Sequence, residues 1–551
     1  MSAGQVLPYV EAKRRKSANR RARWKDVAGS LSGEVWPQVS PAFRIRPGQT
    51  VFTIGSCFAR NIEAHLSTLG CKVPMLDFHL PPEEFDGQPH AAMNRFHPPA
   101  FRQCLEWAGR IFDRDGKAAW ADCEPLAFDF GEGRFFDLDM ATAQAVPKPR
   151  FIERRQHIYD VFSAAFTADC MMMTPGLIEA WRDTATGLFL YDAPHHRPML
   201  VKAARWEFEV LSYQRCLEDM LAAIDAVRSR NPSIKILVTT SPVPLGVTFS
   251  GRDITIANSH SKAVLRAVCD AVISERPDVD YFPSYEIATL SDPAVVWKAD
   301  RLHVSQGFIG KIVGYMLDHY LEGVDEAAAH YQRARTLIAD GDFAEGEKAA
   351  RAALEVRPSH AEAKAALGEA LVRQRRWVEA EAVLLPLAET DPERCDVRVR
   401  LARAMVGQDR LAEGLELLEA AAALPSFTLA DFRAAEGILV RAPADTAERI
   451  AAMGVERFPL HVEAYPPFVD ALVRGGRKAE AIPVLRRACA LSKPPAALLL
   501  QLADLLAQAG ETEEALSRLG TVLAAEPKNK PAAALKAKLL ISAAAEAAVA
   551  P

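Results

Sequence analysis

Six prolines near the C-terminus keep time. Pro358, Pro392, Pro425, Pro459, Pro494 and Pro527 follow one another at intervals of 34, 33, 34, 35 and 33 residues. A fixed period of that size means one supersecondary unit repeated, each copy unable to bury its apolar face without its neighbours. A second signal recurs between the prolines. Gly341-Asp342-Phe343-Ala344-Glu345-Gly346 is matched by Arg375-Arg376-Trp377-Val378-Glu379-Ala380, Asp409-Arg410-Leu411-Ala412-Glu413-Gly414, Gly476-Arg477-Lys478-Ala479-Glu480-Ala481 and Gly510-Glu511-Thr512-Glu513-Glu514-Ala515. Each match is a polar turn opening a helix, so the unit reads as helix–turn–helix closed by proline. Six units fit between about Ala328 and Leu540, with abundant alanine letting helices approach closely. The fourth, 426–459, lacks the turn motif and is expected to be distorted.

The grammar changes near residue 325. Upstream, short apolar runs at 50–54, 170–174, 234–240 and 279–282 read as strands, and 208–227 reads as a helix with Leu211, Cys216, Met220, Leu221, Ile224 and Val227 near one face. Strands separated by helices predict an α/β domain with a mainly parallel sheet, whose ligands bind beyond the carboxyl ends of the strands. At 551 residues the chain exceeds a single core. The expected division is a basic N-terminal segment at 1–35, the α/β domain at 36–324 and an all-α solenoid at 325–545.

Composition excludes more than it selects. A net charge of -5 with 25% charged residues gives no bulk attraction to nucleic acid. The one basic cluster, from Lys13 to Lys25, lacks apolar periodicity and reads as a solvated segment. No apolar run is long enough to span a membrane, and the N-terminus lacks the apolar core of a signal peptide. Nine cysteines show neither a disulfide framework nor metal-ligand spacing, which fits a reducing, cytoplasmic setting.

Two places carry chemistry. Gly55-Ser56-Cys57-Phe58-Ala59 puts a hydroxyl and a thiol where the first strand turns into a helix bearing Ile62, Leu66 and Leu69, with Gly70 as its stop signal. Backbone N–H groups and the helix dipole there suit an oxyanion and a thiolate. The plainer reading is that Gly55 closes a turn, Ser56 caps the helix and Cys57 is a small buried residue. Far downstream, Asp300-Arg301-Leu302-His303 precedes Ser305-Gln306-Gly307 and a last helix. A carboxylate three residues before an imidazole can orient it as a general base.

The C-terminal period and turn pattern are those of the tetratricopeptide repeat, which implies a concave surface for a protein or peptide partner; a rigid spacer or homodimerisation surface is the alternative. The strand-end nucleophile and late DxxH resemble the SGNH, or GDSL-like, hydrolase superfamily. More specifically, 55–61 looks like the hallmark of the bacterial GSCFA family. Asn94-Arg95-Phe96-His97-Pro98-Pro99 with Arg102-Gln103, Thr174-Pro175-Gly176-Leu177 with Glu179 and Trp181, Ser241-Pro242-Val243-Pro244, Asn258 with Ser261-Lys262, and Tyr281-Phe282-Pro283-Ser284-Tyr285-Glu286 support it. The resemblance covers roughly 36–321 and implies an SGNH-like three-layer domain.

Laid over the superfamily's first block, Gly55 matches the glycine and Cys57 the nucleophile; a shift of one residue gives Ser56 the role. The resemblance implies His303 as base, Asp300 as its orienter, and an oxyanion site from the N–H groups of 56–58 with Asn94. Thr174 and Gly176 stand where the third block's asparagine is expected, so a threonine hydroxyl replaces a well-directed amide donor. His97, His195 and His196 read as structural or surface residues.

The expected activity is acyl-ester hydrolysis or O-acyl transfer, on a small-molecule or carbohydrate ester, with no metal or organic cofactor beyond an acyl thioester donor for a transferase. The rival is a scaffold whose repeats carry the function and whose α/β domain is a degenerate ligand-binding module.

Overall fold

The computed structural model describes residues 6–27, 33–81, 84–85, 92–140, 144–323, 325–491 and 494–549; for Asp26, Cys57, Gln306 and residues 542–549 it gives the backbone alone. The chain forms two compact units, Met1–Asp342 and Phe343–Pro551.

The first unit is α/β. Its strands are β1 (Val51–Gly55), β2 (Ala127–Gly131), β3 (Arg134–Asp137), β4 (Val146–Pro147), β5 (Cys170–Thr174), β6 (Glu179–Asp183), β7 (Trp206–Val210), β8 (Lys235–Val238) and β9 (Val279–Tyr281). Four of them make a parallel sheet in the order β1-β5-β8-β9. All five positions of β1 and of β5 are buried, as strands covered on both faces must be. Phe52 meets Phe162 of the Lys148–Ser163 helix at 5.8 Å, while its neighbour Thr53 turns the other way to hydrogen-bond Glu63 of the Cys57–Thr68 helix. Alternating side chains of one strand thus face two helices.

The parallel sheet follows the apolar runs closely, but the antiparallel parts do not. β2, β3 and β4 form a three-stranded sheet and β6 pairs with β7, which the sequence reading omitted. The helix expected at 208–227 starts later, as Tyr213–Arg228, because Trp206, Phe208 and Val210 alternate with Glu207 and Glu209 as strand β7, and Ser212 caps the helix by accepting from Arg215 N at 3.2 Å. Ahead of Asp300 the chain makes one helical turn, Pro293–Val296, after which Trp297 bridges antiparallel to Val304. The basic segment contributes to the Tyr9–Ala18 helix, none of whose residues is buried.

The Glu326–Ala339 helix lies in the first unit, although the repeat period begins with it. Asp340 Oδ1, just past its end, accepts from Gly307 N at 2.6 Å and so caps the Gln306–Tyr320 helix. A Cβ on Gly307 would lie 1.5 Å from Asp340 Oδ2, so this approach requires glycine. The packing division therefore falls at 342/343, one helix beyond the change in sequence grammar at 324/325.

In the second unit helices alternate with short turns through to Lys530–Val549. The turn residue is left-handed in every copy that carries the motif: Gly341, Arg375, Asp409, Gly476 and Gly510 have φ of 87°, 60°, 62°, 77° and 83° respectively. The fourth copy differs. Its helices Leu429–Leu439 and Ala444–Arg457 are joined by 440–443 with no positive φ, and the first of them packs chiefly on the Cys395–Gly407 helix rather than on its own partner.

Candidate active site

β1 ends on Gly55 because nothing larger fits. Its partner in the parallel register is Thr174, and a Cβ on Gly55 would lie 2.7 Å from Thr174 Cβ and 2.8 Å from Thr174 O. The chain then turns at Ser56, which is extended at φ -77°, ψ -176° and caps the Cys57–Thr68 helix, its Oγ accepting from Phe58 N at 3.4 Å. Ser56 is 4% exposed, and its hydroxyl donates to Ser241 Oγ at 3.0 Å. Cys57 is the first residue of the helix; its side chain lies outside the described residues.

The segment 94–97 closes this end of the sheet. Arg95 N donates to Gly55 O at 2.8 Å, and Phe96 O accepts from Gly176 N at 2.8 Å and Leu177 N at 3.0 Å. The backbone N–H of Gly176 is therefore committed to Phe96, while a Cβ there would touch Ser241 and Ser56 at 3.4–3.7 Å. Two buried acceptors near the turn have no hydrogen-bond partner among the described residues: the Asn94 amide oxygen and the Thr174 hydroxyl oxygen. Buried polar groups are normally paired, so these two stand out at the end of the sheet.

Side chains from the Ile254–Glu275 helix hold the same loops. Lys262, 1% exposed, donates from Nζ to Gly176 O at 2.8 Å and to Val243 O at 2.5 Å, tying the loop after β5 to the loop after β8. Ser261 Oγ accepts from Ile178 N at 3.1 Å. Neither Ser241 nor this Ser-Lys pair had a role assigned from sequence. A buried lysine whose contacts are backbone carbonyls gives no local spacing signal.

Asp300 and His303 do pair. His303 Nδ1 and Asp300 Oδ2 are 2.8 Å apart, and Asp300 Oδ1 also accepts from the backbone N–H of Leu302 and of His303 at 2.9 and 3.0 Å. Those donors, the His303 backbone N–H foremost, hold the Asp300 carboxyl well below the usual carboxylate range. Arg301, between them, is left-handed at φ 56°, a strained conformation for a residue with a side chain. The pair is half exposed. Among the described residues no hydrogen bond joins His303 to Ser56, so the turn and the dyad form separately in this structure.

His97 caps the Pro98–Phe112 helix, its Nδ1 accepting from Ala100 N at 3.2 Å, and stacks on Phe189. Burial foremost, with Arg95 nearby, lowers its pKa to about 4. It is a structural imidazole. His195 is exposed, and the His196 ring lies against Phe136 and Phe130.

Comparison with known proteins adds the family. The GSCFA family model matches residues 50–315, and tetratricopeptide repeat models match 331–394 and 472–539. Among curated proteins, none matches the chain. Among solved structures, one of Pseudomonas aeruginosa pilF is 16% identical, covering 39% of this chain and 97% of that one with a TM-score of 0.31. A tetratricopeptide repeat protein from Parabacteroides merdae is 12% identical over 42% of this chain and 91% of its own, TM-score 0.29. The Thermus thermophilus repeat protein TTC0263 is 19% identical over 39% and 99%, TM-score 0.22.

Proposed function

Because residues 50–315 belong to the GSCFA family and tetratricopeptide repeats follow them, we propose that the α/β unit is an SGNH-like acyl-transfer module, an ester hydrolase or O-acyltransferase. The observation that carries this reading is the Asp300–His303 pair. With Asp300 accepting from Nδ1–H, the imidazole presents Nε2 as a base. Ser56 is spent on capping the helix and on Ser241, which favours Cys57 as the attacking atom. His303 takes the Cys57 thiol proton, the thiolate adds to an acyl carbonyl, and the oxyanion is held by N–H groups at 56–58 with the Asn94 amide. Collapse expels the alkoxide, which takes the proton from His303. Water or an acceptor hydroxyl, deprotonated by His303, then releases the acyl group.

A carbohydrate ester is the substrate class to test first, and a thioester is the acyl donor if the enzyme transfers. The repeats are read as the dock for a protein or peptide partner. A reducing cytoplasm is the proposed setting: the eight cysteines with described side chains are all free and buried, and no described helix is long and apolar enough to cross a membrane.

One observation favours the non-catalytic alternative. Among the described residues His303 hydrogen-bonds Asp300 and the Ser56 hydroxyl hydrogen-bonds Ser241, with no hydrogen bond joining the two, as a degenerate site also would arrange. Labelling with electrophilic ester and thioester probes, read by peptide mass, tests the choice. The expected result is acylation of Cys57, kept in Ser56→Ala, lost in Cys57→Ala, and slowed about 100-fold or more in His303→Ala. Acyl transfer to Ser56 would reverse the assignment, and an unlabelled 51–60 peptide across a broad panel would leave the scaffold reading.

A further inference from the structure

A cavity of about 370 Å³ lies in the first unit between the Pro98–Phe112 helix, the Tyr213–Arg228 helix and the 186–189 turn, and none of the candidate active-site residues lines it. Its volume is at the small end for small-molecule sites. The walls are firm. Gln103 holds the turn by donating to Phe189 O at 3.1 Å and accepting from Phe189 N at 2.8 Å. Behind the turn, Arg205 clamps the fully buried Asp183 with two hydrogen bonds of 2.7 and 2.6 Å.

The polar groups around this cavity are unequally satisfied. Every carboxylate is already engaged: Glu106 by Arg102 at 2.7 Å, Asp219 by Arg215 at 2.5 Å and Arg102 at 3.1 Å, Asp122 by Arg114 at 2.8 Å, and Asp139 by Arg95 at 2.9 Å and Arg155 at 3.1 Å. The donors are not. Arg155 is 1% exposed with its guanidinium 4.1 Å over the Trp107 ring, and its Nε–H has no partner among the described residues. Arg110 makes no hydrogen bond or ion pair among the described residues; its field reaches Asp122, both of whose oxygens Arg114 holds. A buried donor without an acceptor costs free energy that a ligand oxygen can recover.

We propose that this cavity binds a small monocarboxylate with a compact apolar body. The carboxylate accepts from Arg155 Nε–H and neutralises Arg110. The body packs on Leu126, Leu188 and Phe189. A dianion such as phosphate fits poorly, because four carboxylates already line the walls and the spare positive charge is that of one guanidinium. The same chemistry could come from a free acid or from the carboxyl terminus of a peptide.

Isothermal titration of the full chain with benzoate, hexanoate, benzamide, inorganic phosphate and a tripeptide ending in phenylalanine tests this. Saturable binding of benzoate or hexanoate, with benzamide and phosphate inert, is expected; the tripeptide binding in their place identifies a chain terminus as the source. Arg110→Gln should weaken binding about tenfold and Leu188→Trp should abolish it, Arg110 being exposed and Leu188 partly so. No binding of any carboxylate at millimolar concentration overturns the proposal. So does phosphate binding as well as benzoate, or affinity unchanged in both folded variants, checked by circular dichroism.

Discussion

Charge is used in opposite ways by the two units. In the α/β unit Arg95, Arg154 and Arg155 are all within 1% of complete burial, with Asp137, Asp139 and Glu84 as their counterions. In the repeat unit the ion pairs form a ladder whose arginines keep access to water. Arg376, Arg410 and Arg477 each reach a glutamate 29 residues earlier, Glu347, Glu381 and Glu448, and one three residues later, Glu379, Glu413 and Glu480. A buried ion is expensive to strand, whereas an exposed one is re-solvated. The α/β unit therefore depends on single partners, and the solenoid on repetition.

The largest test breaks a single buried partner. Asp139→Asn leaves Arg95 and Arg155 without their shared carboxylate and is expected to cost about 3–5 kcal/mol. Seven of the eight tryptophans lie in the first unit, so fluorescence-detected urea unfolding follows that unit. An unchanged midpoint would mean that the network carries no such dependence.

The next effect is on acid stability. His97 accepts from Ala100 N and so must be neutral in the native state. Its pKa falls from the ordinary 6.5 to about 4 on folding, so the contribution is fully present above pH 6.5 and is lost as pH falls toward 4. The integrated loss is about 3 kcal/mol. His97→Asn keeps a capping side chain and removes the proton, so its stability should be flatter between pH 6.5 and 4 than the wild type's. Equal slopes in urea titrations at those pH values would refute the cap as the acid-sensitive element.

The same contrast explains what the sequence revealed. Local rules were enough for β5, which occupies the apolar run at 170–174, for the Gly55 turn and for the Asp300–His303 pair, three residues apart. They were enough for the repeat turns as well, where the motif's first residue is the left-handed one. They failed where partners are far apart in sequence. Arg95 and Asp139, Lys262 and Gly176, or Ser56 and Ser241 carry no spacing signal, and a charged residue such as Arg155 reads as surface until its counterions are known. Strand β7 was hidden by its junction with a strong helix at Ser212.

Turn substitutions probe the solenoid's repetition at the backbone. Gly476 is left-handed at φ 77°, and Gly476→Ala should cost about 1 kcal/mol. Arg375 occupies the equivalent position at φ 60°, so Arg375→Gly should move stability the other way by less, because the freer unfolded chain offsets part of the gain. Far-UV circular dichroism melts read both. A loss on Arg375→Gly would show that this turn does not follow the geometry of the others.

The smallest effect belongs to the ladder. Arg410→Ala removes contacts of 2.6 Å to Glu381 and 2.7 Å to Glu413, yet all three side chains keep access to water and the neighbouring rungs remain. The thermal shift should be smaller than that of either turn variant and should vanish in molar salt, where the screening length shrinks to a few ångströms. Asp139→Asn, in contrast, should keep its deficit at the same salt, because its charges are out of reach of the counterions. If Arg410→Ala kept its shift in molar salt, the ladder would be acting through packing of the arginine stem, and the separation drawn between the two units would narrow to one of degree.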